Sequence, residues 1–393
     1  MVTVMVAWSS VAATSRLVAQ GGGSTDSVAG ISRSVTIGGY LQADGRWISG
    51  PAPRAPDGLL LRRARLIVDA STTGGWLLRL QPDFGQGRVL VQDAFVGQAG
   101  RRHVLRLGRF RPAFGTERMQ SSATLLAPER GIVNSLMPSR MVGIQLAATH
   151  GAWQLALGGF RTPIGPEAAS VDTDGDVEAV AGSGHDLLVR VARTHRWAGG
   201  EVEVQSGVLA GSEQGTLEAP AVPRLLSVAQ QPIATFRADG TRAGTVRAAG
   251  TRARVSTGLL VTTSQSVAAL EGAWFMQRVA YGDVIGTPTV GAGTLRVART
   301  WNGVRQRTQE IRPTSRRGAI DLGVRAGAMR VWEPGPATLL SRGSSARVRT
   351  AGVAVSWLPT PLTRLTLAYD LTTRRGSNAP TEHALLARWQ QGF

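Results

Sequence analysis

Apolar and polar residues alternate with a period of two through most of the chain after residue 34. In 364–372, three leucines and Tyr369 fall on one face, while Arg364, Thr366 and Asp370 fall on the other. The same alternation runs through 143–148, 153–160, 187–194, 201–209 and 321–331. Successive side chains of a β-strand point to opposite faces, so this pattern predicts an all-β protein whose strands have one apolar and one polar face.

The spacing of these segments favours a membrane barrel. Each segment runs for about ten residues, the length that a tilted strand needs to cross a bilayer. Some joints are tight, such as 150–151 and 199–200, whereas 162–184 and 211–224 are long and polar. Tight turns on one side and long loops on the other are typical of outer-membrane barrels. No stretch approaches the roughly 20 consecutive apolar residues of a spanning helix.

A soluble β-sandwich or β-propeller is the alternative fold, because its strands would also alternate with a period of two. The chain shows no repeat of blade length, and its polar face is rich in Arg, Gln, Gly and Thr, which suit a water-filled lumen. We therefore predict a single transmembrane antiparallel β-barrel over 34–393. We expect 1–19 to be a signal peptide without its positively charged start, and 20–33 to be a flexible segment.

All 44 basic residues are arginine, and the formal net charge is +18. The guanidinium group stays charged and presents its donors in a planar fork, which suits phosphate and carboxylate groups. A basic chain can also bind nucleic acid, but here the arginines are scattered singly and no nucleic-acid-binding motif is present. The odd or even position along each strand places several arginines in the lumen: Arg46, Arg63, Arg65, Arg106, Arg190 and Arg325.

Residues expected at the membrane interface follow from the same alternation. Arg62 has the opposite parity to Arg63, so it is expected to face lipid near one end of its strand. An arginine at the bilayer midplane would cost about 2–4 kcal/mol. Tryptophans at the ends of several segments, among them Trp47, Trp153 and Trp357, suit the aromatic girdles of a membrane barrel.

No catalytic, metal-binding or cofactor-binding motif is found in the sequence. The five histidines form no pair with the spacing of a zinc protease motif. Asp172, Asp174 and Asp176 resemble half of a calcium loop, but Ala181 stands where the glutamate ligand is expected. We therefore expect a protein that is not an enzyme and that uses neither a metal nor a cofactor.

The segment 107–118 reads Leu-Gly-Arg-Phe-Arg-Pro-Ala-Phe-Gly-Thr-Glu-Arg, and the pairs 121–122 (Ser-Ser) and 129–130 (Glu-Arg) follow it. Together they resemble the strand and third loop of the phosphate-selective porin O and P family. Weaker similarities lie at 61–66 and 76–84. The resemblance implies sixteen antiparallel strands, a homotrimer, and a third loop that folds inward to narrow the pore. It also implies that arginines along the wall pass anions to a cluster at the constriction.

The resemblance further implies an anion-binding constriction made of two cations, two hydroxyl donors and one carboxylate: Arg118, Arg130, Ser121, Ser122 and Asp93. The alternative is that the pairs Glu117–Arg118 and Glu129–Arg130 only pin the loop to the wall. Lysine is absent from the chain, so any lysine cluster of the family is missing. Phosphate, pyrophosphate, sulfate and small organic anions therefore all stay open as solutes.

The sequence thus predicts a channel in the outer membrane of a Gram-negative type of cell, for passive, anion-selective diffusion of small solutes such as phosphate or polyphosphate. The aromatic Phe393 is expected to be read by the outer-membrane insertion machinery. Two alternatives remain. One is a non-selective general porin that kept the fold without the binding cluster, and the other is a structural barrel with a plugged lumen.

Overall fold

A computed structural model of the chain describes residues 25–28, 31–50, 57–161, 184–333, 339–375 and 381–393. Within these residues, 16 long strands form one closed antiparallel barrel, which confirms the predicted fold class. In chain order the strands are β1 Ile31–Ser49, β2 Gly58–Thr72, β3 Trp76–Asp83, β4 Leu90–Ala99, β5 His103–Phe110, β6 Met141–His150, β7 Trp153–Arg161, β8 His185–Trp197, β9 Gly200–Gln214, β10 Arg247–Thr263, β11 Ser266–Tyr281, β12 Thr289–Trp301, β13 Ala319–Trp332, β14 Arg347–Leu358, β15 Thr363–Arg375 and β16 Glu382–Gly392.

The barrel closes where β1 pairs with both β2 and β16. At this seam Tyr40 lies opposite Gly392, and Ser49 lies opposite His383. Closure gives each edge strand a partner, which a bilayer requires because its interior has no water to bond to backbone groups. A short strand, Thr25–Val28, pairs with the start of β1, so strand structure begins inside the segment 20–33 that the sequence predicts to be flexible. The predicted signal peptide lies outside the described residues.

The two faces of each strand differ as the alternation predicts. On β13, Ile320, Leu322 and Val324 are exposed on the outer wall, whereas Asp321 and Arg325 are buried inside. This arrangement gives the lipid a mostly apolar wall and places Asp321 and Arg325 in the lumen. Among the described residues, no helix is long and apolar enough to cross a membrane.

The connections differ between the two ends of the barrel. At one end they are mostly short, as at 73–75, 151–152 and 264–265. One connection at this end, 302–318, carries a small hairpin of Gly303–Arg305 with Ile311–Pro313. At the other end the connections include the long third loop, 111–140, and the long fifth loop, 215–246. In outer-membrane barrels the short turns are periplasmic and the long loops extracellular.

Both long loops fold into the lumen. The third loop contains a helical turn, α1 Thr116–Met119, and the 3₁₀ helix Ile132–Leu136. The fifth loop contains the short strands Leu225–Leu226 and Pro232–Ala234. Apolar residues of both loops form one buried cluster with the inner wall, which includes Phe114, Ile132, Leu225, Ile233, Phe275 and Val331. The inward third loop was expected from the sequence, but the inward fifth loop was not.

Two smaller elements are the 3₁₀ turn Gly85–Gly87 and the strand Val284–Gly286, which pairs with β11.

The prediction that Arg62 faces lipid is wrong. Arg62 is buried inside the barrel and forms an ion pair with Glu129 of the third loop at 2.9 Å. The cause is a β-bulge, since Gln42 of β1 lies opposite Arg63 and the next residue, Ala43, lies opposite Leu61. A bulge inserts one residue into one strand and so breaks the alternation there. Arg62 and Arg63 therefore both point inward.

Candidate anion pathway

The third loop is tied to the far wall of the barrel through Glu271 on β11. The Glu271 carboxylate accepts the backbone N–H of Thr116 at 2.6 Å and that of Glu117 at 3.0 Å. The Glu117 carboxylate in turn accepts from Arg296 on β12 at 3.1 Å and from the Gly131 N–H at 2.8 Å. Charge-assisted bonds of this kind are about twice as strong as neutral ones, so this side of the loop is held firmly.

The opposite side of the loop is held through Glu129. Arg62 donates to the two Glu129 carboxylate oxygens at 2.9 and 3.3 Å, and Arg325 donates to the Glu129 carbonyl. Burial alone would raise the pKa of the Glu129 carboxyl. The surrounding charges of Arg62, Arg63 and Arg46 outweigh it and lower this pKa to about 2. Glu129 is therefore a carboxylate at neutral pH and a fixed anchor.

Arg118 and Arg130, the cations predicted at the constriction, lie buried within the third loop. Arg118 donates to the Pro138 carbonyl at 2.8 Å, and Arg130 donates to the Gln120 carbonyl at 2.8 Å. Each is 2 % exposed or less. Both side chains thus bond to carbonyls of their own loop, whereas the acids next to them in sequence bind arginines of the wall.

A polar cavity of about 90 Å³ lies between the first half of the third loop and the wall of β1 to β5. Its lining includes Ser121 and Ser122, which the sequence predicts as hydroxyl donors. Five arginines also line it, against Asp93 as the acid among the described lining residues: Arg65, Arg79, Arg106, Arg111 and Arg140. This excess of positive charge makes the cavity the strongest candidate for an anion site in the described lumen.

Most of these arginines are held by acids or by loop carbonyls. Arg65 binds Asp83 at 2.7 Å and also donates to the hydroxyls of Tyr40 and Ser122, each at 2.9 Å. Asp93, whose direction the sequence leaves ambiguous, faces the lumen and binds Arg140 at 2.7 Å. These bonds fix the guanidinium groups in place and leave less of their charge for a solute.

Arg106 has a different environment. It is 6 % exposed, and its guanidinium lies 5.6 Å from the ring centre of Phe95 and 4.9 Å from that of Phe110. Its Nε and Nη2 atoms have no hydrogen-bond partner in the described part of the chain. A buried cation with free donors, facing a cavity and held by aromatic rings, is well placed to take an anion.

The other lumen arginines predicted from the sequence face inward but lie away from this cavity. Arg46 donates to the Ala229 carbonyl of the fifth loop at 2.7 Å, and Arg63 donates to Gln42 at 2.8 Å. Arg190 binds Glu203 at 3.0 Å. Arg325 binds Asp370 in a bidentate pair at 2.9 and 2.7 Å.

Three arginines that line the cavity were not selected from the sequence: Arg79, Arg111 and Arg140. Strand parity could have found Arg79, which lies two residues from the inward Gln81.

A closed barrel of 16 strands, with an apolar outer wall, a charged interior and an inward third loop, defines a porin-type channel of the outer membrane. The family model of phosphate-selective porin O and P matches residues 35–283, and the chain belongs to this family. This membership confirms the resemblance seen in the sequence. Comparison with curated protein sequences gives no match.

Solved structures share the fold at low sequence identity. The outer-membrane channel DcaP of Acinetobacter baumannii is similar at a TM-score of 0.60 and 12% identity, over 92% of this chain and 97% of that one. The anion-selective porin of Comamonas acidovorans gives 0.57 and 12%, over 92% and 100%. The trimer form of OmpT from Vibrio cholerae gives 0.51 and 9%, over 92% and 99%.

Proposed function

We propose that this outer-membrane channel passes small anions selectively and that the cavity around Arg106 is where it selects them. The observation that carries the proposal is Arg106, a buried arginine in the lining of this cavity that forms no ion pair with any carboxylate of the described residues. An anion that leaves water there loses hydration and gains guanidinium and hydroxyl donors in return. Membership of the phosphate-selective porin family and the similarity to the anion-selective porin of Comamonas acidovorans also support anion selectivity.

Tetrahedral oxyanions such as phosphate are the solutes that these donors suit best. Guanidinium groups bind phosphate oxygens through paired N–H donors, and Ser121 adds a hydroxyl at the cavity wall. Passage also requires that the anion leave again. We propose that acids held beside the arginines, such as Asp83 and Asp93, keep the anion affinity moderate.

The test is the reversal potential of the purified protein in a planar bilayer under a KCl gradient, followed by addition of phosphate. We expect a potential of anion-preferring sign and a chloride current that phosphate reduces. Arg106→Gln should weaken the phosphate block several-fold. The matched control is Arg299→Gln, since Arg299 lies exposed on the outer wall against Trp301. An unchanged block in the Arg106 variant would assign the selectivity elsewhere.

A plugged structural barrel is the second candidate, and the fifth loop favours it. This loop crosses the lumen, where its carbonyls accept from Arg46 at 2.7 Å and from Arg374 at 3.1 Å. The experiment is to replace 217–244 with a short Gly/Ser linker. If wild type carries no current and the shortened loop does, the fifth loop is a plug. If both conduct, the wild-type lumen is open.

We propose in addition that the channel is a homotrimer, as the family resemblance implies. The OmpT structure described as a trimer form supports this state for a barrel of the same fold. Native mass spectrometry of the protein extracted in mild detergent would test it. A dominant species of three chains is expected, and a monomer across several detergents would overturn the proposal.

A further inference from the structure

Four arginines point away from the lumen at the long-loop end of three neighbouring strands. They are Arg330 on β13, Arg347 and Arg349 on β14, and Arg375 on β15, and all four are exposed. We call them the arginine row. Three of them lie directly across from one another, since Arg347 is opposite both Arg330 and Arg375. In the described residues none of the four forms an ion pair, and like charges this close repel one another.

Below the arginine row the outer wall is hollow. A groove of about 860 Å³ runs over β10 to β15. Its floor is made of small outward residues in register, Gly272, Gly293 and Ala328. Its rim is formed by Trp274 and Trp332, whose rings stack at 4.9 Å. Beside the rim, Arg330 lies 5.0 Å from the ring of Trp332, so the cationic and apolar parts form one continuous surface.

We propose that this surface is a binding site for an anionic lipid of the outer leaflet, with the arginine row on its phosphate groups and the groove around its acyl chains. The row lies within three residues of the strand ends, which is the level of a lipid headgroup. Arginine pairs with phosphate through two parallel N–H donors. A phosphorylated glycolipid combines several chains with phosphates at one end, which matches the groove and the row together.

Charge favours a lipid over a second copy of the chain. On the described barrel strands the acidic residues lie on the lumen side: Asp44, Asp69, Asp83, Asp93, Asp186, Glu201, Glu203, Glu213, Glu271, Asp321, Asp370 and Glu382. The described outer wall of another copy would therefore bring arginines and no carboxylates against the row. Burying unpaired like charges in a protein interface is costly. An anionic headgroup removes that cost.

The experiment titrates the full-length protein in detergent with bisphosphorylated lipid A and counts bound lipid by native mass spectrometry. Replacing the arginine row with glutamine should weaken binding at least tenfold. Arg193→Gln with Arg299→Gln is the control, since both arginines lie on the outer wall at the opposite end, and this variant should bind as wild type does. Retained heat-modifiable mobility on gels shows that each variant is folded.

A second variant tests the groove separately. A Cβ atom at Gly293 would meet no atom closer than 3.8 Å, so this position has room for the start of a side chain. Gly293→Leu places a side chain in the groove and should also weaken lipid A binding. Dephosphorylated lipid A should bind at least tenfold less well to wild type, and millimolar inorganic phosphate should not displace lipid A. Three results would overturn the proposal: unchanged binding without the row, unchanged binding in Gly293→Leu, or loss of an oligomer in these variants with lipid affinity intact.

Discussion

Arg106 and Glu129 are charged residues of the lumen with two different roles. Glu129 forms a closed ion pair with Arg62 and serves to hold the third loop. Arg106 lies between two aromatic rings, and its remaining donors face the cavity. Removing a charge from the first kind of residue should change the shape of the loop, whereas removing it from the second should change which ions pass.

The lowered pKa of Glu129 predicts the pH range in which the third loop loses this anchor. Its folded-state pKa is about 2, against an ordinary value of 4.5, so the ionised form stabilises the fold fully above pH 4.5. That contribution is lost as the pH falls from 4.5 towards 2. Since one pKa unit corresponds to 1.36 kcal/mol, the stabilisation is about 3 kcal/mol.

The measurement compares the heat-unfolding temperatures of wild type and Glu129→Gln at several pH values. Above pH 4.5 we expect a constant difference in favour of wild type, because the variant leaves Arg62 buried without its acid. The difference should shrink towards zero near pH 2. A difference that stays the same down to pH 2 would show that Glu129 is not the titrating anchor.

At the scale of the strand, two ion pairs span three strands by passing over a glycine. Gly352 lies opposite Arg325 on one side and Asp370 on the other, and Gly211 lies in the same way between Arg252 and Asp186. A Cβ atom on Gly352 would lie 2.0 Å from a carboxylate oxygen of Asp370. The missing side chain is what lets the pair meet over the middle strand.

Gly352→Ala should therefore push the Asp370 carboxylate out of its bidentate pair and destabilise the barrel by about 1–3 kcal/mol, the cost of leaving a buried polar group without its partner. Gly272→Ala is the matched control, because a Cβ there meets no atom closer than 3.8 Å and faces lipid. Urea unfolding of both variants in detergent would measure the difference. Equal stability of the two variants would contradict the role of Gly352.

Strand alternation carried most of the fold prediction, because lipid demands an apolar residue at each second position. It failed at Arg62, where a bulge adds a residue that no local pattern marks. Alternation also predicted which arginines face the lumen but not which acids they bind. Arg325 and Asp370 are 45 residues apart in sequence, and the register of three strands brings them together. The inward fifth loop depends on contacts with Arg46 and Arg374, which sequence periodicity does not reveal.

At the scale of the whole barrel, Phe393 adds to the seam. Its N–H and carbonyl bond to the backbone of Gly39 at 3.1 and 3.2 Å, and its ring lies where a Gly39 side chain would be. Deleting Phe393 should slow assembly in cells, where we expect the insertion machinery to read this residue. Refolding of the purified protein into detergent should change little. Assembly in cells is measured as the yield of folded protein in outer-membrane fractions, and it is compared with the refolding yield of the purified protein. Equal losses in the two yields would argue for a purely structural role of Phe393.

The β1–β16 seam joins the two ends of the barrel sequence, so we expect it to form late in folding. Its paired side chains include Gln42 and Gln390, which are 348 positions apart. Loop closure over such a separation is entropically costly, and long-range pairing of this kind folds slowly. Until the seam forms, each partly built sheet exposes two edges that can recruit strands from other chains. We therefore expect the chain to stay unfolded, with its strand edges protected, until it reaches the membrane, and the barrel to close when the last strand pairs with the first.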